Sequence, residues 1–267
     1  MISVKDKKIS PIIITGSVRS GTSVMSESLM KKGAGFDGYT EGCFIDMMGL
    51  FLKVFDKRYK DRGTQMKFVN IMLKDVPKDS FQESFIEWFL SEYKKYSKYE
   101  GVWIDKTPAI EVLYSIPLLY KFLPDAKFII MKRRSIENIN SRLKKFKGIS
   151  FNVHCELWAE IMNKISDIKK NVPNDRYIIV DQYDISTKPE EVAEKVGLFL
   201  NLNFDQIKKI ANVFKNSRPE HTGGDESKIR SLEETNWTDE QKKYFIDKCA
   251  PVNDEFGWSL DENYYKG

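Results

Sequence analysis

The sequence predicts an α/β fold, a central parallel β-sheet flanked by helices on both faces. Three observations predict it. Four short apolar segments alternate with longer stretches of helical periodicity. Those segments are near-continuous runs of apolar residues, as expected of strands covered on both sides. The first runs straight into a loop of glycines and hydroxyls that leads into a helix, the context in which backbone amides cradle an anion.

In chain order, Pro11-Ile12-Ile13-Ile14 is a β-branched run that stops at Thr15-Gly16 and reads as a buried strand. Val24, Met25 and Leu29 then repeat at helical spacing until Gly33 and Gly35 end the helix. Residues 36–42 read as a loop. Residues 43–60 form an amphipathic helix with Phe44, Met47, Met48, Phe51 and Phe55 as its buried stripe. A helix over 80–97 carries Phe81, Phe85, Trp88 and Phe89. Gly101-Val102-Trp103-Ile104-Asp105 is the second strand, and Pro108 ends pairing and suits a first helical turn. Helix 109–122 follows, then a turn at Pro124-Asp125 and a third strand from Lys127 to Met131. Helices over 135–147 and 151–171 precede the fourth strand, Tyr177-Ile178-Ile179-Val180. Helices over 188–200, 204–215 and 238–250 complete the chain. No repeat, low-complexity tract or Pro/Ser-rich linker interrupts it, so residues 1–267 read as one domain. The polar stretch 216–231 reads either as a lid or as a plain surface loop.

Composition narrows the function classes. With 267 residues, 41% hydrophobic and 31% charged, the chain can bury a full core without staples. Cys43, Cys155 and Cys249 are odd in number and far apart, which argues against a disulfide framework or a cysteine-based zinc site and fits a reducing compartment. No apolar run approaches ~18 residues, so no membrane span is expected. The first residues lack the apolar core and cleavage site of a signal peptide. The expected location is cytoplasmic. A net charge of +4 is mild, and with no aromatic platform beside its basic residues the chain does not read as a nucleic-acid binder.

Arginine is scarce against lysine, yet Arg133, Arg134 and Arg142 fall within ten residues. Arginine is the better fork for phosphate and carboxylate oxygens. The segment 127–147 holds eight basic residues against one acid, Glu137. Within it Arg133 ends a strand at the edge where open α/β sheets bind ligands. Ile136, Ile139, Leu143 and Phe146 share one helix face, and Ser141 and Lys145 share the opposite, polar side. Lys132, Lys144 and Lys147 read as a solvated basic face.

The loop Gly16-Ser17-Val18-Arg19-Ser20-Gly21-Thr22-Ser23 has the frame of a phosphate loop, which makes the expected sheet P-loop-NTPase-like. Thr22 occupies the position of the lysine that a nucleotide triphosphatase uses on its terminal phosphates. The positive charge sits instead on Arg19, inside the loop. A sulfuryl group carries one negative charge where a terminal phosphoryl carries about two, so it needs less neutralisation and no metal.

Val18-Arg19-Ser20-Gly21-Thr22-Ser23 resembles the PRSGTT motif of sulfotransferases that use 3′-phosphoadenosine 5′-phosphosulfate (PAPS), in their bacterial and Golgi-type branches. The strand Lys127–Lys132 with Arg133 and then Ser141 resembles their second motif. Asp105-Lys106-Thr107-Pro108 is similar to their DKTP segment, and Gln182-Tyr183-Asp184-Ile185 with Pro189 to their YEDL…P segment, Gln182 standing where Tyr is usual. The resemblance covers most of residues 11–200. It implies PAPS as donor, 3′,5′-ADP as product and no metal. Gly16, Arg19, Ser20, Gly21, Thr22, Ser23, Arg133, Ser141 and Lys145 would bind the donor, and Arg19, Glu41 and Lys106 would carry the chemistry.

Transfer to a hydroxyl or amine needs a proton acceptor. Related small-molecule enzymes place a histidine just after the second strand, where this chain has Lys106-Thr107-Pro108. Glu41, 22 residues after Arg19, lies where other members use a glutamate, and reads either as that base or as an exposed loop carboxylate. His154, at the start of the helix that carries Trp158, is the alternative base or a packed histidine; His221 lies in the Gly-rich loop. Lys106, ending a strand on the ligand edge, could neutralise a sulfuryl oxygen. Two other classes remain: a P-loop kinase or nucleotide triphosphatase, with Asp105 or Asp181 as its Mg²⁺ carboxylate, and a non-catalytic nucleotide binder on the same fold. The acceptor, whether carbohydrate, lipid, peptide or small molecule, is set by loops such as 36–75 and 216–231.

Overall fold

In a computed structural model that describes residues 9–63, 72–217 and 230–267, five parallel strands form one sheet. They are β1 (Ile9–Gly16), β2 (Gly38–Tyr39), β3 (Gly101–Lys106), β4 (Lys127–Lys132) and β5 (Tyr177–Asp181), in the order β2-β3-β1-β4-β5. The expected fold class is therefore observed. β1 sits between β3 and β4, with Ile14 opposite Lys106 on one side and Gly16 opposite Met131 on the other. The period-two geometry of a strand sends alternate residues to opposite faces. Ile13, Phe128 and Ile130 join one apolar cluster, and Ile12, Ile14, Ile129 and Met131 join the other.

The first cluster is closed by α2 (Ile45–Gly63), α3 (Lys78–Tyr96), α4 (Ile110–Phe122), α5 (Ser135–Lys145), α6 (Phe151–Asn171) and α10 (Asp239–Glu255). The second is closed by α1 (Thr22–Leu29), α7 (Gln182–Thr187), α8 (Pro189–Leu200) and α9 (Phe204–Asn216). Asn203 and Thr238 start α9 and α10 with capping boxes completed by Gln206 and Gln241, which satisfy amides that a helix start leaves open.

Several expectations change. Residues 36–42 are not all loop: Gly38 and Tyr39 pair with Ile104 and Asp105 as β2. On α2 the buried stripe is Ile45, Met48 and Leu52; Met47 is exposed, and Phe44, Phe51 and Phe55 are half-buried. Phe51 stacks on Phe85 of α3 and Phe55 on Phe81, so these rings form a second, aromatic seam. Gln182–Thr187 is a short helix of its own, and α10 continues through Pro251 to Glu255. Residues 218–229, most of the 216–231 stretch and including His221, lie outside the described residues. Among the described residues no helix is long and apolar enough to cross a membrane.

The arginine cluster divides. Arg134 is fully buried and spends its guanidinium on Glu137 and on the carbonyls of Arg230, Ser259, Asp261 and Asn263. It is a clamp on the C-terminal segment. Lys132 is not solvated: it pairs with buried Asp181 at 2.9 Å and lies over the Trp258 ring. Asp181 also accepts from Trp258 Nε1 at 2.9 Å and Tyr264 Oη at 2.7 Å, so the tail is tied to the ends of β4 and β5. Lys144 and Lys147 are exposed as expected.

Replacing Arg134 with methionine keeps bulk but leaves Glu137 and four carbonyls without their donor. Removing one partner of a buried pair costs about 3–5 kcal/mol. Urea unfolding of Arg134→Met is expected to show a loss of that size, and a loss below about 1 kcal/mol would mean that the tail is held elsewhere.

Candidate active site

The anion loop is built by the meeting of β1 with β4. At the end of β1, Gly16 has φ 128°, and a Cβ there would stand 2.0 Å from the Met131 carbonyl oxygen, so only glycine fits. Ser17 N–H donates to that carbonyl at 3.3 Å, and the Ser20 hydroxyl donates to it at 3.1 Å and to the Ser17 carbonyl. Arg19 takes φ 71°, a left-handed conformation that is costly for a residue with a Cβ. Its carbonyl accepts from Arg133 Nη1 at 3.1 Å, and the Val18 carbonyl accepts from Asn138 Nδ2 at 3.0 Å. Gly21, at φ 85°, leads into α1, where buried Thr22 and half-buried Ser23 form the first turn. With these carbonyls turned toward β4 and α5, the N-terminal end of α1 is available to an anion.

Arg133 and Ser141 belong to the same assembly. The Arg19 guanidinium donates through Nε to the Ser141 hydroxyl at 3.1 Å. Arg133 is only 7% exposed, and its buried Nε has no hydrogen-bond partner among the described residues. A buried cationic donor without an acceptor is expensive, and an oxyanion would satisfy it. Trp158 Nε1 donates to the Arg133 carbonyl at 3.0 Å and fixes its backbone. Lys145 stands exposed at the end of α5, about 6 Å along the helix from Ser141 at 1.5 Å per residue.

On the other side of β1, the buried Lys106 ends β3. Its Nζ pairs with Glu41 Oε1 and lies 3.4 Å from the Ser23 hydroxyl. Glu41 is 53% exposed, so a molecule in solution can reach it. Of the three expected catalytic groups, Glu41 and Lys106 meet beside Ser23, whereas the Arg19 guanidinium turns to Ser141 on the α5 side of the loop.

His154 is elsewhere. It is fully buried between α5 and α6, and its Nδ1 accepts from Arg142 Nε at 3.2 Å. Burial and the Arg142 charge both hold its pKa below the usual histidine value. It is a packed histidine, and Arg142 faces it rather than the anion loop. The two aspartates considered for Mg²⁺ are engaged internally: Asp181 as above, and Asp105 by Tyr93 Oη at 2.6 Å and Thr107 Oγ1 at 2.9 Å. Among the described residues no group of three or more His, Cys, Asp or Glu could hold a metal ion.

Sequence reasoning missed Asn138, which ties the loop to α5 and also faces the Ser17 hydroxyl at 3.3 Å. Its signal was there: Asn138 precedes Ser141 by three residues, on the same side of the helix. It also missed Tyr93, which reaches Asp105 from α3. No spacing connects the two.

A family model described as "Sulfotransferase family" matches residues 11–206. The sulfotransferase domain of the Synechococcus PCC 7002 olefin synthase has this fold, with a TM-score of 0.54 at 19% identity over 95% of this chain and 97% of that one. Sulfotransferase STF9 from Mycobacterium avium has it with a TM-score of 0.55 at 14% identity over 97% of this chain and 80% of that one. No curated protein matches the sequence.

Because the folded-state pKa of His154 lies below its unfolded value of about 6.5, its contribution to stability is complete above that pH. Below it the unfolded chain takes up a proton that the folded state refuses, so stability falls with pH by about 1.4 kcal/mol per unit until His154 itself titrates. Denaturant unfolding between pH 7.5 and 5 is expected to show this slope in the native protein and a shallower one in His154→Gln. Parallel slopes would mean that His154 is free to charge.

Proposed function

The chain belongs to the sulfotransferase family, and on that premise we propose that it moves a sulfuryl group from PAPS to a hydroxyl or amine of an acceptor, without a metal, within a single domain. The observation that carries the reading is the meeting of Lys106, Glu41 and Ser23 at the end of the anion loop. A binder needs the loop. It does not need a half-exposed carboxylate held by a buried lysine beside it.

The chain's own residues suit the donor. The buried, unpartnered Arg133 Nε and the Ser141 hydroxyl fit the 3′-phosphate, and Lys145 adds a point charge from the helix end. The amides of Gly21 to Ser23, which open at the start of α1 once the Ser20 amide has turned back to the Ser17 carbonyl, fit the 5′-phosphosulfate. Bound PAPS supplies an activated sulfuryl group, whose bridging S–O bond breaks as the acceptor atom bonds to sulfur, leaving 3′,5′-ADP. Glu41 takes the acceptor's proton in that step. Lys106 and Arg19 neutralise charge on the sulfuryl oxygens, which is where fixed cations act most strongly. A kinase would require a lysine at Thr22 and a carboxylate open to Mg²⁺, and Asp105 and Asp181 are both spent on internal hydrogen bonds. The acceptor is a carbohydrate, lipid, peptide or other small molecule bearing that hydroxyl or amine.

Arg133→Ala is expected to weaken binding of 3′,5′-ADP by about 1.5–3 kcal/mol, the worth of a charge-assisted hydrogen bond, and to weaken 5′-AMP less, since there only the hold on the Arg19 carbonyl is lost. Calorimetric titration of both nucleotides decides it, and equal losses would place Arg133 away from the 3′-phosphate.

Glu41→Gln keeps the shape of the side chain and cannot take the proton. Turnover with PAPS and a panel of hydroxyl and amine acceptors, assayed in excess EDTA, should fall about 10²–10⁴-fold, with 3′,5′-ADP affinity unchanged. Retention of more than about a third of native turnover would remove Glu41 as the base. Dependence of the native enzyme on Mg²⁺ would favour phosphoryl transfer.

A further inference from the structure

We infer that Asp105 is a positioning residue, which fixes the Glu41 loop against the end of β3 and so holds the proton acceptor beside Lys106 and Ser23. The inference rests on the reading of Glu41 as the base. Asp105 is 1% exposed and, among the described residues, pairs with no cation, since the neighbouring Lys106 side chain turns to Glu41 and Ser23. Its Oδ2 accepts from Tyr93 Oη at 2.6 Å and its Oδ1 from Thr107 Oγ1 at 2.9 Å.

The loop rests on this carboxylate. A Cβ on Gly42 would stand 2.0 Å from Asp105 Oδ1, so the backbone next to Glu41 lies directly against it. Gly42 N–H donates to the Lys106 carbonyl at 3.0 Å, and Cys43 N–H donates to Thr107 Oγ1 at 3.2 Å. Cys43 takes φ 47°, the left-handed region that a side chain disfavours, so this turn needs an external hold.

The chemistry explains why the residue is an aspartate. A carboxylate only accepts, so both the Tyr93 and Thr107 hydroxyls must donate to it. With its one proton committed, Thr107 presents lone pairs to the Cys43 amide. An asparagine amide would offer donors as well, and the Thr107 rotor would lose its fixed sense. Burial raises the Asp105 pKa, and the Tyr93 and Thr107 hydroxyls act against that shift.

The test is a double-mutant cycle on the full chain, reading kcat, 3′,5′-ADP affinity and melting temperature. Asp105→Asn is expected to lower kcat about tenfold or more, with nucleotide affinity unchanged and the melting temperature showing that the chain remains folded. In a Glu41→Gln background the same change should alter kcat by less than about threefold, because its route of action is already gone. Thr107→Val should reproduce the loss and Thr107→Ser should restore native kcat, which keeps the test open if Asp105→Asn does not fold. Full turnover in both Asp105→Asn and Thr107→Val, with Glu41→Gln impaired, overturns the inference alone. Additive losses in the double variant also overturn it, since Asp105 would then act elsewhere. Near-native turnover of Glu41→Gln removes the base assignment and the inference together.

Discussion

The contact between the end of β1 and the β4–α5 segment is the constraint on which the site depends. Gly16 approaches the Met131 carbonyl too closely for any side chain, and Arg133 and Asn138 take up the carbonyls of Arg19 and Val18. Those two hydrogen bonds hold Arg19 in a conformation that a residue with a Cβ adopts at a cost of about 1–3 kcal/mol. They also settle the loop's polarity, with carbonyls turned inward. One strand pairing thus sets the loop shape, the direction of its amides and the place of Arg133. On the other side of β1, pairing with β3 brings Lys106 opposite Ile14, within reach of the same loop. A central strand flanked by two partners of the same direction is what allows one loop to draw on both.

Much of this was legible in the sequence because it is carried by local pattern. The four longer strands are unbroken apolar runs, and the loop's glycines and hydroxyls sit between strand and helix as anion binding requires. Arg133 and Ser141 follow from strand end and helix face. β2 escaped notice because two residues, Gly38 and Tyr39, carry no period; only their pairing with Ile104 and Asp105 makes them a strand. On α2 the aromatic residues suggested the wrong stripe, since the helix buries aliphatic residues toward α4 and spends Phe51 and Phe55 on α3. Lys132 looked solvated because nothing local announces Asp181 or Trp258, which reach it from distant parts of the chain.

The same distinction separates the arginines. Arg133, Arg134 and Arg142 look alike as a cluster, but a helix turn of about 100° per residue and a strand end send them to three environments. One faces the anion loop, one clamps the C-terminal segment, and one lies against His154. Local excess of a residue type marks a segment worth attention, and only tertiary partners say which member faces a ligand. Glu41 and Asp105 make the complementary point. Glu41 could be placed by its distance from Arg19, whereas Asp105 depends on a hydroxyl from α3 that no motif contains.

The tie between Asp181 and the tail bears on the order in which the chain acquires its structure. Trp258 and Tyr264 lie 77 and 83 residues beyond the carboxylate they complete. At roughly 5–20 residues per second, a ribosome needs on the order of ten seconds to span that interval. Through that time the nascent chain can pair β1, β3, β4 and β5 but leaves Asp181 and Arg134 short of partners. The β4–β5 edge can therefore gain its last hydrogen bonds only after the C-terminal segment has been synthesised.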